Sequence, residues 1–301
     1  MKISRKKFLK AGLMGAAGLA LPLGTLSIPL TRLGASASVS SPSVQPFRVP
    51  LPIPPVLKPA RTRGGADYYE TVQRVGRQEI LPGLKTEVWG YDGIFPGPTI
   101  EARSGRQVVI RQWNELPVPV SVHLHGGKTP PESDGYPTDL ILPRGQGTSA
   151  HAGHGSAGEH SRFFKDYHYP NDQRAATLWY HDHRMDFTGP QVYRGLAGMY
   201  IVRDEVEDSL PLPGDEKEVP LVITDRTFNE DGSFYYPSID PTLAEPGVHA
   251  SATNGTYSGV FGDTILVNGA PSPVLEVSNT MYRFRILNAS NARAYELELD
   301  P

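Results

Sequence analysis

Apolar residues along this chain come in short runs broken by glycine, proline and asparagine, the rhythm of strands and turns rather than of long helices. Gln107 to Trp113, Pro119 to Leu124, Ala176 to His183 and Leu196 to Val202 read as strands. An acidic, Pro-containing stretch, Asp204 to Lys217, then interrupts the pattern. Beyond it, Glu218 to Asp225, Asp263 to Asn268 and Thr280 to Leu287 continue as strands, and Tyr295 to Leu299 is strand-like. Within Thr280 to Leu287, Tyr282, Phe284 and Ile286 alternate with Arg283 and Arg285, which predicts a half-buried strand with its apolar side chains inward.

Composition fits this picture. The 29 prolines and 31 glycines favour turns between strands, and the fold class that follows is all-β. At 301 residues, and roughly 150 per domain, about two domains are expected, each long enough to bury a core. The boundaries read as one folded unit at 67–205, a linker at 206–217 and a second unit at 218–301. At roughly 85 residues the second unit is short for a sandwich of about seven strands and reads as incomplete. A net charge of −3 gives no basic surface for nucleic acid.

The N-terminus reads as an export signal over residues 1–37. Lys2, Arg5, Lys6, Lys7 and Lys10 precede an apolar, uncharged run from Ala11 to Leu30, and Ala35-Ser36-Ala37 offers a small-residue cleavage site. Ser4-Arg5-Lys6-Lys7-Phe8-Leu9-Lys10 resembles the twin-arginine signal, with Lys6 where the second arginine is expected. A general secretory signal and an uncleaved anchor remain open. A plain membrane span fits less well, because Gly12, Gly15, Gly18, Pro22, Gly24 and Pro29 interrupt the run. Each reading places the folded part outside the cytoplasm, in the periplasm or beyond the cell. Residues 38–66, with Pro50, Pro52, Pro54, Pro55 and Pro59, are expected to run extended over the surface.

Two His-x-His pairs carry the candidate chemistry: His123-Leu124-His125 and His181-Asp182-His183. On a strand, His123 and His125 share a face with Ser121, while Val120, Val122 and Leu124 share the other; Trp179, His181 and His183 likewise fall together. Residues two apart sit about 6.7 Å from each other along a strand, so two imidazoles converge on one ion or bind two neighbouring ions. One such pair is more often a surface feature than a ligand pair; two in a small β domain shift the balance toward metal. Imidazole alone suits zinc, copper, iron or nickel.

The surrounding motifs are more specific. Gly90-Tyr91-Asp92-Gly93, Pro96-Gly97-Pro98-Thr99-Ile100, Val122 to Gly127, Tyr167-His168-Tyr169-Pro170-Asn171, Leu178 to His183, Gly195 to Tyr200 and Tyr282 to Arg293 together resemble multicopper oxidases, in particular bacterial spore-coat-type laccases and bilirubin-oxidase-like enzymes. The resemblance runs from about Pro50 to the end of the chain. It implies cupredoxin-like Greek-key β-sandwich or barrel domains, one complete and one truncated. It implies that His123 binds type-2 copper, that His125 and His181 bind one type-3 copper, and that His183 binds the other. It also gives Asp134, nine residues after His125, a part in delivering protons during oxygen reduction. Without the resemblance, Asp134 is a turn residue in Ser133-Asp134-Gly135.

The chain holds no cysteine, which forbids a thiolate copper site within it, and His151, His154, His160, His168 and His249 form no His-Cys-His pattern. The family's type-1 copper site is therefore absent from these residues, and the trinuclear site is present only in part. The expected partners are molecular oxygen, a small reducing substrate and a C-terminal domain or partner chain that completes the copper sites. Activity of this chain alone is not expected. Two other readings stand beside the oxidase: a non-catalytic, copper-sequestering cupredoxin, and a zinc hydrolase with an open position for water. The stretch from His151 to His160 reads as an exposed loop that could scavenge copper.

Overall fold

A computed structural model of the protein describes residues 39–144, 160–236 and 260–299. The expected export signal at 1–37 and the stretch bearing His151 and His154 lie outside the described residues, as does His249.

Strands form where alternation is strongest. In chain order they are β1 (Arg61–Arg63), β2 (Ala66–Gln78), β3 (Thr86–Tyr91), β4 (Gly97–Arg103), β5 (Val108–Asn114), β6 (Val122–His125), β7 (Leu140–Leu142), β8 (His160–Arg162), β9 (Phe164–Tyr169), β10 (Ala176–Asp182) and β11 (Ala197–Arg203). One sheet runs β1-β2-β5-β9 with β3 also paired to β2, and a second runs β4-β11-β10-β6. Both turn alternate residues into a shared core, with Tyr69, Tyr91, Ile110 and Tyr167 from the first and Ile100, Val122, Leu124, Tyr180 and Tyr200 from the second. Buried tyrosine rings dominate this core, and their hydroxyls need partners: Tyr180 donates to the Pro98 carbonyl at 2.6 Å and Tyr200 to Asn171 Oδ1 at 2.8 Å.

A third sheet is built on β12 (Glu218–Phe228), with β13 (Phe234–Tyr235), β14 (Thr264–Val267), β15 (Ala270–Pro271) and β16 (Arg283–Asn288). β11 reads as an unbroken apolar run because both its faces are covered. Tyr200 and Val202 enter the first core, whereas Met199 and Ile201 pack with Val222 of β12 and with Ala289. Among the described residues, helix is confined to α1 (Thr188–Arg194), α2 (Glu205–Asp208) and single 3-10 turns. The all-β expectation holds. In the Pro-rich N-terminal segment, the Leu57 amide donates to the Thr99 carbonyl and the Leu51 amide to that of Val274.

Three details differ from the sequence reading. β6 starts at Val122 rather than Pro119, because Val120 forms only an isolated bridge with Ile141. Residues 295–299 pair with no neighbouring strand among the described residues, so no strand forms there. On β16 the expected faces are exchanged. Arg285 is 5% exposed, while Phe284 and Ile286 are 43% and 48% exposed. The carboxylates of Glu207 on α2 and Glu218 on β12 explain the exchange. Arg285 Nη2 lies 2.7 Å from Glu207 Oε1, its Nε donates to Glu218, and its Nη1 reaches Thr177 Oγ1 at 2.9 Å. Two buried acids on the inner side leave an arginine, not a phenylalanine, as the residue that must face them.

Candidate metal centre

β6 and β10 run antiparallel with His123 opposite His181, Leu124 opposite Tyr180 and His125 opposite Trp179. Alternation sends Val122, Leu124, Tyr180 and Asp182 into the core, and the histidines to the other side. His183 follows at the end of β10, its amide donating to the Ser121 carbonyl at 2.8 Å. The four imidazoles cluster, with ring centres 4.9 Å apart for His123 and His183, 5.5 Å for His123 and His181, and 5.6 Å for His125 and His181. Trp179 stacks on two of them, at 4.0 Å from His181 and 5.2 Å from His125.

Backbone carbonyls fix which nitrogen each ring presents. A carbonyl can only accept, so a ring nitrogen bound to one carries the proton and the other nitrogen keeps its lone pair. His123 Nδ1 lies 2.5 Å from the Asp134 carbonyl, His181 Nδ1 lies 2.7 Å from that of Asp182, and His183 Nδ1 lies 3.2 Å from that of Gly135. These three rings therefore offer Nε2. His125 differs, because its Nδ1 lies 3.3 Å from His181 Nε2. Two nitrogens each about 2.0–2.1 Å from one first-row ion, roughly a tetrahedral angle apart, lie about 3.3–3.4 Å from each other. His125 Nδ1 and His181 Nε2 thus fit a shared ion, and nitrogens of His123, His125 and His181 all fall within 4.8 Å of one another.

Burial keeps His125, His181 and His183 in their ligand form. It holds the His181 pKa down to about 3, and it lowers those of His125 and His183, with the neighbouring His123 adding to both effects. Neutral imidazole is the form that binds metal, so these rings need no deprotonation near pH 7. Asp182, fully buried between two of the histidines, is pushed up to about 7 by burial, against hydrogen bonds from the Ser121 and Arg184 amides.

Asp134 ends a 3-10 turn at Pro131–Ser133. Its carboxylate also accepts from Thr129 Oγ1 at 3.0 Å and lies 3.4 Å from His123 Nδ1, with half of the side chain exposed.

The chain's likeness to known proteins is extensive. The family model described as Multicopper oxidase matches residues 74–151 and 161–207, a span that contains all four histidines. A laccase of Bacillus subtilis (strain 168) is 41% identical over 287 residues, covering 86% of this chain and 52% of the laccase. The chain belongs to the multicopper oxidase family. A bilirubin oxidase of Albifimbria verrucaria is 37% identical, over 85% of this chain and 41% of its own length. The cell division protein FtsP of Escherichia coli (strain K12) is 33% identical, over 100% of this chain and 53% of its own. The crystal structure of a laccase from Pediococcus acidilactici superposes with a TM-score of 0.66 at 30% identity, covering 83% of this chain and 47% of that one. The chain spans about half the length of the curated relatives it matches.

Within this multicopper oxidase chain, the structure brings together His123, His125, His181, His183 and Asp134. It adds groups that residue types could not reveal. The carbonyls of Asp134 and Gly135 aim one histidine of each pair. Carbonyls carry no sequence signal, although Gly135 is one clue. Its φ is +72°, and a Cβ there would lie 2.1 Å from the Val122 carbonyl oxygen.

Proposed function

We propose that the protein acts in copper-dependent oxidation, with His123, His125, His181 and His183 forming one half of a trinuclear copper cradle. The observation that carries this reading is the convergence of four imidazoles, three of them aimed by backbone carbonyls. The placement of His125 Nδ1 and His181 Nε2 3.3 Å apart supports assigning both to one type-3 copper. His183 then serves the second type-3 copper and His123 the type-2 copper. When bound, copper supplies stepwise electron acceptance, coupling one-electron oxidation of a phenol, amine, pigment or metal donor to reduction of oxygen to water. The chain's own residues hold the ligand nitrogens, keep His125, His181 and His183 neutral and stack Trp179 against His125 and His181. Asp134, half exposed beside His123, suits the delivery of protons from solvent.

These 301 residues hold no cysteine, and the proposal assigns electron entry to a type-1 site on a further domain or partner chain. The exposed apolar side chains of β16 support such a contact. Two cupredoxin-type units, 67–205 and 218–301 joined at 206–217, and export from the cytoplasm complete the reading. The basic start and apolar run of residues 1–37 support export.

Equilibrium dialysis against copper tests the core of the proposal. The wild-type chain is expected to retain copper, and the His123→Ala/His181→Ala variant to lose it; equal retention by both sinks the reading. Copper-loaded chain alone is expected to show no steady oxygen uptake with a phenolic donor, and steady uptake overturns that part. A copper-sequestering role is the second reading, favoured by the missing cysteine and by the likeness to a protein named for cell division. Tight copper binding, with no oxygen uptake even after co-expression with the C-terminal half of a laccase, would favour it.

A further inference from the structure

Asp182 sits between two of the four histidines yet points away from them. It is fully buried on the core side of β10. Its carboxylate binds backbone on both sides of the cluster. Oδ2 accepts the Ser121 amide at 3.1 Å, one residue before β6 and two before His123. Oδ1 accepts the Arg184 amide at 3.1 Å, where the chain leaves His183. Its carbonyl accepts from His181 Nδ1 at 2.7 Å. Its amide donates to the Leu196 carbonyl at 3.1 Å, tying the end of β10 toward β11. Ser121 completes the connection, because its carbonyl takes the His183 amide at 2.8 Å and its Oγ donates to the Tyr136 carbonyl at 3.0 Å. That last bond anchors the turn whose carbonyls aim His123 and His183.

We propose that Asp182 is a positioning residue that sets the placement of the two His-x-His pairs relative to each other, and through it the geometry of copper binding. The inference rests on the copper reading above. The backbone amides of Ser121 and Arg184 flank the two strands of the site, one just before β6 and one just after β10, and one buried carboxylate holds both. Metal sites depend on such supporting groups, and their loss typically weakens metal affinity by about 10–100-fold.

The test uses the full chain in three variants: Asp182→Ala, Asp182→Asn and Leu266→Ala. Asn keeps the shape and one acceptor oxygen but turns an N–H toward a backbone N–H. Leu266 is buried in the third sheet and serves as a control for lost stability. Competition titration with copper and EPR of the copper-loaded chain are read alongside the melting temperature. Ring-nitrogen NMR of the copper-free chain reports the imidazole tautomers. The expected result is affinity weakened at least 10-fold, with an altered EPR spectrum, in Asp182→Ala. Asp182→Asn is expected to fall between it and wild type, and Leu266→Ala to match wild type despite a lower melting temperature. Wild-type affinity and spectrum in both Asp182 variants overturn the proposal, as does an equal loss in Leu266→Ala. If wild type binds no copper, the copper reading fails. Unchanged tautomers in copper-free Asp182→Asn then overturn the positioning role too, and changed ones uphold it.

Discussion

Gly135 shows how a single residue limits the site. It is held at φ +72° with its Cα against β6, and a methyl group there meets the Val122 carbonyl oxygen at 2.1 Å and the His123 Cα at 2.7 Å. Gly135→Ala must push the turn away from β6, which lengthens the carbonyl contacts that aim His123 and His183. A stability loss of about 1–3 kcal/mol is expected from strain of this kind, together with weaker copper uptake. Calorimetric melting and dialysis measure both, and an unchanged protein would remove the turn from the account of the site. Trp179 allows a second check at this scale. Because its ring stacks on His125 and His181, copper bound there should quench its fluorescence. Of the three tryptophans, Trp179 should give most of the quenching, so Trp179→Phe should abolish most of the copper-induced signal change. Quenching that survives this substitution would place the copper elsewhere.

Among the elements, β16 and α2 are held to β11 and β12 by charge. Arg203 Nη2 lies 2.7 Å from both Glu101 Oε1 and Glu218 Oε2, and Glu207 takes Arg283 at 2.5 Å and Arg285 at 2.7 Å. Burial by itself would raise the pKa of Glu207 and of Glu218, yet the guanidinium bonds outweigh it and hold both below the ordinary glutamate value of 4.5. A depressed carboxylate contributes stability that is fully present above the unfolded value and is lost as pH falls through the lower folded value. Wild type should therefore lose melting temperature as pH drops below about 4.5, and Glu218→Gln should lose less over the same range. At pH 7 the same variant should be less stable by about 3 kcal/mol, because buried arginines lose a charge partner. Parallel acid profiles for the two proteins would mean the network does not govern this behaviour.

At the scale of the whole molecule, β11 lies between two of the packed apolar clusters of the described residues. The outer side of β16 keeps Phe284 and Ile286 exposed, next to each other on one face. Phe284→Lys/Ile286→Lys should lower binding of a hydrophobic dye while changing stability by no more than about 0.5 kcal/mol per site. Undiminished dye binding would show that this face is not the accessible apolar surface. By itself the sequence determined the strand content, the two histidine pairs and their common face, and the lack of a thiolate ligand, because each follows from local alternation or from residue chemistry. Alternation states which residues share a face, but not which face turns inward. Arg285 faces the interior because Glu207 and Glu218, 78 and 67 residues away, meet it there. Asp182 reads as a spacer until the amide of Ser121, 61 residues earlier, is seen at its carboxylate. The aim of three of the four imidazoles was likewise decided by tertiary structure, since it depends on carbonyls that every residue has and that only the folded backbone brings to hydrogen-bonding distance.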